Sequence, residues 1–178
     1  MKLLKRPWAV CGLILLNSII LTSCQKDLEI NINAAPADAS SQEDAPASHP
    51  ISGLPQRRIS LINENGNSVD ILAEIADEPQ AQARGLMGRE RMSPGEGMLF
   101  VFAEEAPRGF WMKDTLIPLD ILFFDASGTW VSAHTMVPCE EDPCPTTLSA
   151  KPARYALEVS TGFLTGYGEG WRLAASNE

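Results

Sequence analysis

The sequence predicts a mainly β domain, a β-rich α+β fold built as a compact barrel- or sandwich-like sheet of six or seven short strands with one or two short helices. Three observations predict it. Alternating or continuous apolar runs of strand length recur from Arg58 onward, turn signals such as Asn65-Gly66 and Ser127-Gly128 separate them, and the segment from Asp77 carries a helix-start pattern.

Taken in order, Arg58–Ile62 and Val69–Ala76 predict a hairpin about Asn65-Gly66. In its second strand Val69, Ile71, Ala73 and Ile75 alternate with Asp70, Leu72 and Glu74, the pattern of a strand buried on one face. Asp77-Glu78-Pro79-Gln80 predicts a short helix with Asp77 at N-cap, Pro79 in the first turn and Gln80 at N3, ending at Gly85 or Gly88. Gly97–Phe102 and Leu119–Asp125 are nearly continuous apolar runs, as expected of strands covered on both faces, and Arg108–Met112 is a shorter strand. Ala126-Ser127-Gly128 turns the chain into Thr129–Val137, making a second hairpin with Trp130, Ser132, His134 and Met136 on one face. Arg154–Ser160 alternates again, with Tyr155, Leu157 and Val159 to one side, and Gly162–Gly168 predicts one helical turn.

The 178 residues suit one domain with appendages rather than two domains. In residues 1–23, Lys2, Lys5 and Arg6 precede an apolar run from Trp8 to Leu21 that is interrupted by Asn17 and Ser18. The run falls short of the roughly 20 apolar residues of a spanning helix, so it reads as a signal peptide. Leu21-Thr22-Ser23-Cys24 resembles a bacterial lipobox, which implies cleavage before Cys24, lipid on that cysteine and the membrane as a partner. Gln25 in place of Asp then implies an outer-membrane location facing the periplasm in a Gram-negative host. Residues 24–55, rich in Ala, Ser, Pro and Asp without an aromatic, read as a flexible tether, with His49 expected in solvent and LEINI as a weaker strand candidate. The domain occupies 56–178. Loss of Lys2, Lys5 and Arg6 takes the net charge from −9 to −12, and such acidity argues against nucleic acid, whose phosphates require clustered Lys and Arg.

The stretches GLMGRERMSPGEGMLFVF, RGFWMKDTLIPLDILFFDASG, VPCEEDPCP and PARYALEVSTG together resemble the DUF192 family over residues 58–173. The resemblance implies a small β-rich fold, often exported, and no established reaction. Family members usually read FWMKNT, whereas Asp114 follows Lys113 here, which exchanges an amide for a carboxylate and removes an NH₂ donor.

The segment Arg108–Asp120 carries most of the unusual chemistry. If it connects two strands, Lys113, Asp114 and Asp120 gather at one end of the sheet, with Trp111 as an aromatic floor beside Arg108. Arg108, Trp111, Lys113, Asp114 and Asp120 are therefore the ligand-binding candidates, for a small polar ligand or an envelope protein. The competing reading makes Trp111 packing, Asp120 a backbone cap and Lys113 solvated. Cys139 and Cys144 are the two thiols of the domain, and in an oxidising envelope they are expected to form a disulfide. Their four-residue spacing is not that of a thioredoxin motif, and a zinc site lacks two ligands. His134 is the domain's one histidine, and with Met136 it is the weakest candidate, a copper(I) pair. No cofactor is expected, and no catalytic residue is assigned. The sequence thus reads first as a non-enzymatic binding or interaction lipoprotein, second as an enzyme acting on the envelope or on carbohydrate through Asp114 and Asp120, and third as a copper-binding protein.

Overall fold

The computed structural model describes residues 48–174, which lie in one compact unit, Gln42–Glu178. The signal peptide, Cys24, the LEINI segment and the tether through residue 47 lie outside the described residues. The strands are β1 (Gln56–Asn63), β2 (Ser68–Ala76), β3 (Glu96–Ala106), β4 (Gly109–Trp111), β5 (Leu119–Phe124), β6 (Trp130–Met136), β7 (Thr146–Leu148), β8 (Ala153–Ser160) and β9 (Trp171–Ala174). Helix α1 covers Pro79–Arg84, and Phe163–Thr165 is one 3₁₀ turn. Seven strands form one sheet in the order β6-β5-β8-β3-β2-β1-β9, and β4 with β7 forms a separate ribbon. The molecule is mainly β, as its sequence predicts.

The sheet curls into a half-barrel. Its β9 edge returns to the β5–β6 turn, where Leu173 N–H donates to Gly128 C=O at 2.8 Å and Thr129 bridges to Arg172. Gly128 has φ +78, and a Cβ there would collide with the Leu173 carbonyl, so this closure needs glycine. Inside the curl pack Ile59, Leu61, Ile71, Leu122, Phe124, Leu157 and Leu173. The outer face carries a second cluster containing Met98, Phe100, Leu119, Ile121, Phe123 and Met136. Ala81 of α1, Leu86, Met92, Phe110 of β4 and Met112 cover it. Phe110 meets Phe100 and Phe123 edge-on, with ring centroids 4.9 and 5.6 Å away. Burying a side chain of this size contributes about 1.5–3 kcal/mol.

Both predicted hairpins form, β1–β2 and β5–β6, each antiparallel. β5 is buried along its whole length, as its unbroken apolar run requires of a strand covered on both faces. Cys139 and Cys144 are bonded, their Cα atoms 5.6 Å apart, and bracing so short a loop contributes about 2 kcal/mol by the chain-entropy relation.

The structure departs from the sequence reading at five places. Asp77 does not cap α1; the N-cap is Glu78, which makes no side-chain cap bond, and Gln82 anchors the helix by donating to Ala76 O (3.3 Å) and Val101 O (2.9 Å). In β6 a register shift pairs Phe123 with Ser132 but Phe124 with Trp130, so Val131 is an extra residue and Trp130 packs inside the curl, away from Ser132 and Met136. β7 and β9, three and four residues long, are too short for periodicity to announce. Glu74 is buried rather than solvated, because α1 and the chain that follows it cover the outer face of β2. His49 is also buried, 9% exposed, in a turn that Ser48 closes by bridging to Pro55. Among the described residues no helix is long and apolar enough to cross a membrane.

Candidate functional site

Pairing across the sheet aligns Glu74 with Met98, Met98 with Glu158, Glu158 with Ile121, and Ile121 with His134. Directly paired residues share a face, so two glutamates stand in one transverse row on the covered outer face. Their environments differ. Glu74, 2% exposed, accepts from Arg89 Nη2 at 2.7 Å through Oε1. Its Oε2 lies 3.6 Å from His49 Nδ1, but Nδ1 already accepts the Ile51 and Ser52 amides at 3.3 and 3.4 Å. A nitrogen in that role has no proton to give, and Glu74 Oε2 is left without a hydrogen bond.

Glu158, 4% exposed, forms no hydrogen bond or ion pair among the described residues. Burial alone pushes its carboxyl up from 4.5 to about 8, so it is protonated at neutral pH. It lies on a small pocket of about 40 Å³, lined also by Gln82, Phe100, Phe110, Trp111, Lys113 and Thr115. That is room for a few waters or for the end group of a ligand, not for a whole drug-sized molecule. A groove of about 700 Å³ runs beside the disulfide loop, past Met112, Thr135, Glu140 and Glu141, but those two glutamates are exposed.

The candidates read from the sequence are distributed as follows. Trp111, 52% exposed, and half-buried Lys113 both line the Glu158 pocket, with Lys113 Nζ 5.7 Å from the Trp111 ring centroid. Asp114 sits on the loop between them and β5, its side chain exposed, and its carbonyl accepts from Gly88 N–H at 2.8 Å. Its φ of +54 is the left-handed conformation that Asn and Asp tolerate best, so this chain's Asp keeps the backbone role available to Asn. Asp120, fully buried, points to the opposite face: it accepts from Thr135 Oγ1 at 2.6 Å and from Leu164 N–H at 2.9 Å. Asp114 and Asp120 do not meet. Arg108 lies over the Phe102 ring at 3.8 Å and donates to Ala153 O at 3.0 Å and to Glu104 O, bonds that brace the backbone. His134 is exposed on the sheet's edge strand, while Met136 is buried in the outer cluster. Among the described residues no three His, Cys, Asp or Glu side chains gather as a metal site.

Sequence reasoning missed Glu158, Thr115, Glu74 and Arg89. No local signal announced Glu158, because its face of β8 carries Arg154, Ala156, Glu158 and Ser160, a mostly polar set that fits a solvated face.

Residues 60–173, from β1 to β9, match the family model DUF192, described as an uncharacterized ACR. The chain belongs to the DUF192 family. Crystal structures that resemble this DUF192 domain include the following two. A candidate transcription regulator from Sinorhizobium meliloti 1021 is 34% identical, with 73% of this chain and 97% of that one covered at a TM-score of 0.64. A protein of unknown function from Novosphingobium aromaticivorans DSM 12444 is 30% identical, with 75% and 94% covered at a TM-score of 0.67. No curated protein matches the chain. The DUF192 match contains Glu74, Arg89, Trp111, Asp120 and Glu158, whereas His49 precedes it.

Proposed function

We propose that this DUF192 protein is a non-enzymatic binding module for a small polar ligand, exported and held at the membrane by lipid on Cys24, with its site in the Glu158 pocket. One observation carries the reading: a buried carboxyl without a partner among the described residues lies on a pocket bordered by an exposed tryptophan, a lysine and a buried threonine. A fold keeps an unpaired buried ionisable group at a cost in stability, and such groups concentrate at functional sites. Two of the residues singled out from the sequence, Trp111 and Lys113, belong to the same pocket. The regulator description of the Sinorhizobium meliloti protein is not carried over, because a net charge of −9 opposes phosphate-backbone binding. Hydrolysis by a carboxylate pair lacks support from the separate environments of Asp114 and Asp120.

The test is an amide-shift screen of small polar compounds against the full chain in detergent. Saturable shifts are expected to cluster at Trp111, Lys113, Thr115 and Glu158. A folded Trp111→Ala protein that keeps every detected affinity would overturn the site. For the tether, Cys24→Ala is expected to move the protein from the membrane to the soluble fraction, and unchanged fractionation would refute lipid anchoring.

A further inference from the structure

Taking the Glu158 pocket as the ligand site, we propose that it receives a primary ammonium group, borne by a small aliphatic amine. The transverse row supplies the argument. Glu74 and Glu158 are buried on the same face of the sheet, two strands apart, with Met98 between them. Glu74 has its cation within the chain, with Arg89 Nη2 2.7 Å from Oε1. Glu158 has none paired with it among the described residues, and it opens onto a pocket. Lys113 and Arg84 line the same pocket, but neither forms an ion pair with Glu158, so the carboxylate is free to take a cation from outside.

The shape and lining of the pocket narrow the chemistry. About 40 Å³ has room for a compact head group such as an ammonium, with the remainder of the ligand outside. Phe100, Phe110 and Trp111 line it with aromatic side chains, and an aromatic face attracts a cation that has left water. An ammonium carries three donors. The pocket lining offers acceptors for them in the Glu158 carboxylate and in Thr115 Oγ1, which donates to Lys113 O at 3.4 Å and keeps its lone pairs free to accept. The rest of the ligand lies outward along exposed Trp111. Lys113, half-buried, and Arg84, exposed, also border the pocket and oppose a bound cation, Arg84 the less because solvent screens it. Because an amine ligand requires Glu158 as its carboxylate, binding releases a proton wherever the free carboxyl is protonated, and affinity rises with pH until that carboxyl is ionised.

The experiment titrates the full chain in detergent with n-butylamine, 1,4-diaminobutane and acetate, reading amide shifts at Trp111, Thr115 and Glu158 at pH 6 and pH 9. Both amines are expected to shift these resonances saturably, at least 10-fold more tightly at pH 9 than at pH 6. Glu158→Gln, which resembles the protonated carboxyl in shape, is expected to weaken them at least 10-fold at pH 9. Lys113→Met is expected to strengthen amine binding by removing a cation from the rim. Equal amine affinity in Glu158→Gln would overturn the proposal. Acetate binding that Lys113→Met abolishes would also overturn it, leaving the pocket as a site for anions. Silence from all three probes, alongside hits in the wider screen at the same resonances, would reject amines while sparing the site itself.

Discussion

Glu158→Gln is expected to stabilise the protein above pH 8 and to change its stability little near pH 4. The sign follows from the proton count. The unfolded carboxyl ionises near its ordinary value of 4.5, while the folded one holds its proton to about 8. Between those values the native state binds more protons than the unfolded state, so stability falls as pH rises. Below 4.5 both states are protonated and the penalty is absent; above 8 it is complete. At 1.36 kcal/mol per unit the loss is about 3 kcal/mol at neutral pH and on the order of 4–5 kcal/mol above pH 8. Glutamine keeps the shape and the unpaired polar end but cannot ionise. Denaturation midpoints of the two proteins should therefore separate as the pH is raised from 4 to 9. Parallel curves across that range would mean that Glu158 ionises freely in the folded state. A bound amine should close the gap from the other side, by giving the ionised carboxylate a partner.

Arg89→Met is expected to cost about 3–5 kcal/mol, because it strands the Glu74 carboxylate on the same buried face. His49 cannot take over as the structure stands, since its Nδ1 accepts two backbone amides. The double variant Glu74→Gln with Arg89→Met should recover most of the loss, because no uncompensated buried charge remains. Urea denaturation of the two variants decides the matter. A single variant that loses less than about 1 kcal/mol, or a double variant no better than the single, would show that the pair carries little of the stability. The arginine reaches this place through the turn after α1, where Gly88 has φ +73 and Arg89 N–H donates to Leu86 O at 3.1 Å.

Much of the architecture was legible because local signals and tertiary demands agree. The turn at Asn65-Gly66 is built by Asn63 Oδ1, which accepts the Asn65 and Asn67 amides at 3.0 and 2.9 Å. The turn at Ala126-Ser127-Gly128 is built in the same way by Asp125 Oδ1, which accepts the Ser127 and Thr129 amides. Such turns need only neighbouring residues, and a linear reading finds them. The site was half legible. Trp111 and Lys113 stood out as an aromatic and a cation in an unusual loop, and they do line the pocket. Asp120 was read as loop chemistry, yet strand alternation turns it inward, where it caps the Leu164 amide. Glu158 sits in a strand whose alternation fits a solvated outer face equally well, and nothing local says that α1 and β4 will cover that face.

The strands other than β7 and β9, the two hairpins, the disulfide loop and the mainly β class were all readable along the chain, because each depends on neighbouring residues or on period-two patterning. Which polar residues lose their water depends instead on how the layers assemble. Glu74 and Glu158 are acidic residues at outward positions of alternating strands, and the layer over them comes from segments as far away in sequence as His49, Arg89 and Trp111. Burial turns one of them into half of an ion pair and the other into an acid unpaired among the described residues. Desolvation is a property of the assembled layers and not of any one stretch of chain.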